Sequence, residues 1–198
     1  MSPAKLKIVQ VGDPVLRRQA RAVTIEELRS PEVQQLIEWM RETMRDAPGV
    51  GLAAPQVGLP LQIAVIEDRE DLMASIAPAR LQERGRRPVP FHVIVNPVLS
   101  LDGEPVEFFE GCLSLAGFAA LVPRAPRVRV ECWNDHGGPL TIHAEGWYAR
   151  ILQHEIDHLD GTLYIDRMES RTLATIENHK RHWDALSTEA VRSILVPR

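Results

Sequence analysis

His154 and His158 stand four residues apart in QHEIDHLDG (residues 153–161), and Glu155 directly follows the first of them. On a helix this spacing stacks both imidazoles on one face, one turn apart, where they can share a metal ion. A metal so held lowers the pKa of a bound water, and an adjacent carboxylate such as Glu155 can move its proton. Two side chains do not complete a metal site, so a third ligand must come from elsewhere in the chain.

A peptidase ligand set fits poorly. The pattern H-E-x-x-H-x-x-G-x-x-H is followed as far as Gly161, but Tyr164 stands where its third histidine belongs. Glu169 and Glu177 lie downstream without supporting pattern for a thermolysin-like third ligand. Two cysteines remain. Cys112 lies in EGCLS (110–114), where the flanking glycine permits close approach at a tight turn. Cys132 lies in an alternating strand, the usual place of a small core residue. Cys112 is therefore the preferred third ligand.

The elements that must position these residues read as an α+β fold. Trp147 to Leu159 predicts the helix carrying the two histidines, stopped by Asp160-Gly161. Burial of that helix would make unsatisfied imidazoles costly. Residues 30–46 predict a helix with Ser30 as N-cap and Pro31 in its first turn, burying Val33, Leu36, Ile37, Met40 and Met44. Residues 61–67 and 91–99 read as buried strands, and 127–133 and 139–146 as further strands, the former half exposed. Residues 68–90 read as an exposed insertion loop, and a C-terminal helix is expected over 170–186, with Leu173, Ile176, Trp183 and Leu186 as its apolar stripe. Strands and helices do not alternate regularly, so mainly antiparallel strands around a central helix are expected. The whole chain, 1–198, reads as one domain.

Composition narrows the function classes. At 198 residues and 44% hydrophobic the chain can bury a real core without a staple. A net charge of −4 gives no footprint for specific nucleic-acid binding. Two cysteines argue against a disulfide framework and fit a reducing compartment. The start, MSPAKLKIVQ, lacks an apolar signal region or an Arg/Ser-rich presequence, and no run of 18 apolar residues exists. The expectation is a soluble intracellular enzyme, either in the bacterial cytoplasm or in an organellar matrix after loss of a transit peptide. The basic stretch HKRH (179–182) can be read as a transient ribosome contact or, more simply, as a solvated charged face.

GVGLAAPQVG (49–58), EGCLS (110–114) and QHEIDHLDG (153–161) together resemble the three signature motifs of the peptide deformylase family, in order and over nearly the whole chain. The 68–90 insertion and EGWYARILQHE look closer to its organellar-type branch. The resemblance implies an α+β fold with the motif helix at its centre, and removal of the formyl group from the N-terminal methionine of nascent polypeptides. It implies Cys112, His154 and His158 as metal ligands and Glu155 as the proton carrier. It also implies the Gln56 side-chain amide and the Leu113 backbone N–H as donors to the formyl oxygen. Without it, Gln56 would pass for an ordinary loop residue. It favours Fe2+ in the cell, although the same donor set also suits Zn2+, Ni2+ or Co2+.

Gly51 and Gly111 are expected to let an extended peptide lie beside the backbone, or else to be simple turn residues. Val50, Trp147 and Ile151 are candidates for the methionine pocket, and each could instead be plain core. Glu110 and Arg124 are expected to brace the metal loop, weakly if that pair is exposed. Ala119 departs from the pattern, since many bacterial members carry an arginine there.

Overall fold

Ser30 accepts a hydrogen bond from the Val33 amide and opens helix α2 (Pro31–Asp46), which follows a short capped helix α1 (Ile25–Leu28). The computed structural model describes residues 5–196; residues 1–4 and 197–198, with the outermost part of the expected 1–198 domain and most of MSPAK, lie outside them. The chain continues through β1 (Gly51–Ala53) into a 3-10 turn carrying Gln56, then β2 (Ile63–Asp68). After a helix α3 (Pro78–Glu83) come β3 (Val89–Asp102), β4 (Val106–Cys112), β5 (Leu115–Arg124), β6 (Arg127–Trp133) and β7 (Pro139–Glu145). Helix α4 (Gly146–Leu159) carries the two histidines, and Gly161, at φ 73°, follows its end as expected.

Five strands form one antiparallel sheet in the order β1-β2-β3-β6-β7. In β2 the alternation serves two layers. Ala64 and Ile66 pack with Ile151, Leu152 and Ile156 of α4, whereas Ile63 and Val65 pack with Ile37, Met40 and Met44 of α2. A strand buried on both faces must be apolar throughout, which explains the continuous run. In β6 only one face is covered, so Val128, Val130 and Cys132 are buried while Arg127, Arg129 and Glu131 are exposed. Cys132 is thus a core residue, and burial pushes its thiol up to about 11.

A second, three-stranded antiparallel sheet, β4-β5-β8, includes the short β8 (Ala174–Thr175). The β4–β5 pair is absent from the sequence reading, because the motif EGCLS sits at its turn and its alternation is weak. The expected single helix over 170–186 is also corrected. Pairing of Phe118 with Thr175 and of Ala119 with Ala174 draws this segment into the sheet. Thr175 then caps α5 (Ile176–Asn178), which runs into a π-turn over His179–Trp183, and Ser187 caps a separate helix α6 (Thr188–Leu195). Leu173 is left exposed, and the buried apolar residue of this region is Val191.

The 68–90 segment is not simply an exposed loop. It carries a 3-10 turn and α3, buries Met73, and holds Arg86 against the buried Asp68.

Candidate active site

Helix α4 lies between the two sheets and turns a single stripe toward the space between them. Arg150, His154 and His158 fall at successive four-residue intervals on it. Cys112, at the end of β4, brings Sγ to 3.2 Å from His158 Nε2, and one donor atom from each of Cys112, His154 and His158 lies within 4.8 Å of the others. This is a donor set of one cysteine sulfur and two imidazoles. The Ser114 amide donates to Cys112 Sγ at 3.4 Å, as a backbone turn around a metal-binding sulfur would.

Glu110 organises the back of this cluster. Its Oε2 lies 3.1 Å from His154 Nδ1, while Oε1 accepts from Arg124 Nε at 3.0 Å and Arg150 Nη1 at 2.6 Å. The Glu110 and Arg124 side chains are only 4% and 3% exposed, so the expected weak surface pair is instead a buried network. Asp157 extends the network by accepting from both Arg124 and Arg167. Burial alone would raise the Glu110 carboxyl, but His154 and Arg124 overcome it and hold the group below the usual carboxylate range.

Glu155 faces the same space from the next position. Its burial, without a hydrogen-bond partner for Oε2 among the described residues, lifts its pKa to about 7. The carboxylate lies against β1: a Cβ on Gly51 would come within 2.2 Å of Glu155 Oε1. Gly51 is required here by the catalytic candidate itself, which is a reason beyond the two given by sequence. Gln56 is 1% exposed; its Oε1 accepts from the Ala53 amide at 2.8 Å, which turns Nε2 toward Ser114 Oγ at 3.3 Å and Cys112 Sγ at 3.6 Å.

A cavity of about 400 Å³ opens over these groups. Val50, Gly51, Gln56, Gly111, Cys112, Leu113, Trp147, Ile151, His154 and Glu155 all line it, and His158 is buried beside Cys112. Every site residue expected from sequence is therefore brought to one place. Gly111 also has a second constraint, since a Cβ there would sit 3.2 Å from the Phe118 carbonyl. Ala119 is buried and paired with Ala174.

Sequence reasoning missed Arg150, Phe109, Phe118 and Ile176, which also line the cavity. Arg150 could have been found, since it lies one turn before His154 on the same face. The others come from the unanticipated hairpin and the C-terminal return.

The matching family model, polypeptide deformylase, covers residues 5–174. The chain belongs to this family. A chloroplastic peptide deformylase 1A from Solanum lycopersicum is 48% identical over 86% of the chain, and the human mitochondrial peptide deformylase is 44% identical over 85% of it and 70% of its own length. Peptide deformylase 3 of Streptomyces avermitilis is 45% identical over 96% of the chain and 83% of its own length, so relatives of similar identity include organellar and bacterial proteins alike. The chain spans 62% and 64% of the length of the tomato and Arabidopsis thaliana relatives. Among solved structures, a Met-Ala-Ser-bound class I type b peptide deformylase from Acinetobacter baumannii aligns with a TM-score of 0.75 at 31% identity, covering 84% of this chain and 99% of that one.

The family is one of metalloenzymes, and the donor set fits such an ion: two imidazoles and a cysteine sulfur converge, and Glu155, whose buried Oε2 has no hydrogen-bond partner among the described residues, lines the same cavity.

Proposed function

We propose that this deformylase-family chain removes the formyl group from the N-terminal formylmethionine of nascent polypeptides and releases formate. The observation carrying this reading is Glu155, buried and unpaired beside the Cys112–His154–His158 cluster, in a cavity lying between two strand edges. Cys112, His154 and His158 would hold a divalent ion, which when bound would supply an acidified water and a Lewis acid. Fe2+ is the ion we propose for the cell, with Zn2+, Ni2+ or Co2+ able to substitute on the same donors.

Glu155 accepts a proton from the attacking water and returns it to the departing amine. Gln56 Nε2, turned toward Cys112 by the Ala53 amide, and the Leu113 amide donate to the oxygen on which negative charge develops. Holding the Gln56 amide in place beforehand spares reorganisation during reaction.

β1 and β4 are edge strands of their sheets, and Gly51 and Gly111 line the cavity between them. An extended substrate adds its backbone there, largely regardless of downstream sequence. Val50, Trp147 and Ile151 receive the methionine side chain. The relative bound to Met-Ala-Ser supports a peptide of this kind in the groove.

Among the described residues no helix is long and apolar enough to cross a membrane. The cytoplasm of a bacterium or an organellar matrix suits the relatives' range, and the His179–His182 face is proposed as a transient ribosome contact on charge alone.

The test offers formyl-Met-Ala-Ser and its unformylated counterpart to metal-loaded protein, and assays formate and new amines separately. Stoichiometric formate from the first alone supports deformylation. Internal cleavage of either peptide without formate would replace this reading with a peptidase.

A further inference from the structure

The segment between β2 and β3 is tied at its neck by a buried ion pair. Asp68 has a fully buried side chain and accepts two hydrogen bonds from Arg86, from Nε and Nη2, each 2.8 Å long. The neck then rests on the first turn of α4. Gly85 and Gly146 both have positive φ, at 57° and 59°, and a Cβ on Gly146 would lie 2.8 Å from the Arg84 carbonyl oxygen. Two backbones meet here without an intervening side chain.

That contact places cations over the next residue of α4. Arg84 Cζ lies 5.1 Å and Arg86 Cζ 5.4 Å from the Trp147 ring centroid, with Arg150 at 5.9 Å. Trp147 lines the catalytic cavity. Its Nε1 and the Nε of Arg84 are buried, and neither has a hydrogen-bond partner among the described residues. No hydrogen bond from the indole N–H sets the ring's tilt, so packing and the stacked guanidinium groups set it.

We infer that the neck of this insertion supports the substrate pocket from behind, with Arg84 and Arg86 positioning Trp147 and so tuning selection of the substrate's first side chain. This rests on the reading that Trp147 borders the pocket for that side chain. The cationic stack acts on the ring and not on the reacting atoms, so both arginines are positioning residues. Loss of the stack should loosen binding of a large first side chain more than a small one, and should leave the metal cluster intact.

Arg84→Met is the primary test, because it keeps an unbranched apolar stem and removes only the guanidinium. The second variant is the double substitution Asp68→Asn with Arg86→Met, which avoids stranding a buried carboxylate. Trp147 emission and its quenching by acrylamide are obtained by difference against Trp147→Phe in each background. Kinetics compare formyl-Met-Ala-Ser with formyl-Ala-Ala-Ser, alongside metal content.

Both variants should make Trp147 more quenchable and raise KM for the formyl-Met peptide by about three- to tenfold, the range expected for one lost cation–π contact in each. KM for the formyl-Ala peptide and the metal content should stay near wild type, with Arg84→Lys intermediate. Unchanged quenching and unchanged KM in both variants overturn the inference, as do equal losses on both peptides. Wild-type protein that releases no formate would overturn the deformylase reading instead, while the quenching change would still establish the clamp.

Discussion

Glu110 Oε2 lies 3.1 Å from His154 Nδ1, so the carboxylate fixes which ring nitrogen of His154 is left for Cys112 and His158. Partners of this kind set the tautomer and raise the basicity of a ligand, and their loss typically weakens metal binding by about 10- to 100-fold. Glu110→Gln should do so here, measured by competition with a chromophoric chelator. Unaltered affinity would reduce Glu110 to a bracing role toward Arg124 and Arg150. The same substitution should change acid stability of the metal-free protein. Because the folded-state pKa of Glu110 is depressed, its stabilisation is present above the unfolded value of about 4.5 and is lost as pH falls toward the folded value. Melting temperatures across that window should therefore fall less steeply in Glu110→Gln than in wild type.

Glu155→Ala should retain stoichiometric metal and lose formate release by several orders of magnitude. General acid–base work contributes about 10²–10⁴-fold, and this residue is assigned both proton transfers. Loss of the metal along with activity would reassign Glu155 to the ligand set.

Gly51→Ala puts a methyl group where Glu155 Oε1 now sits, since the added Cβ would approach it to 2.2 Å. Activity should drop by about 10²-fold or more while metal content holds, because the proton carrier is displaced. Steady-state kinetics with metal analysis on one preparation decide it, and near-normal kcat would show that the carboxylate can be moved without consequence.

Ile151→Trp should raise KM for formyl-Met peptides and affect a formyl-Ala peptide less. Ile151 is 4% exposed and lines the cavity, so a larger side chain there takes volume from the pocket. Equal losses on both substrates would return Ile151 to the core.

Iron-loaded protein purified without oxygen should be highly active and should decay in air or peroxide, because a thiolate beside a redox-active ion is open to oxidation. Zinc- or nickel-loaded protein should resist that decay, with zinc the poorer catalyst. Cys112→Ser should weaken metal binding and abolish most activity. Cys132→Ser should leave both nearly intact, since Cys132 sits in the core and is not among the three converging donors. A metal-replete, active Cys112→Ser protein would sink the ligand assignment.

Sequence alone determined whatever local geometry sets. The one-turn stacking of His154 and His158, the Ser30 cap and the Gly161 stop follow from helix periodicity and capping chemistry, which act over four residues or fewer. The alternation in β6 likewise declared one wet and one dry face. Tertiary structure decided the rest, because it depends on sheet register and on contacts between distant residues. Glu110 reaches His154 across 44 positions, and Gly51 must lack a side chain because Glu155 occupies its space. The single helix expected at 170–186 broke because β5 offered residues 174–175 a sheet edge, a competition that local propensity does not record. The insertion read as exposed became a support for Trp147 only when Asp68 closed its neck and two glycines let its backbone meet α4.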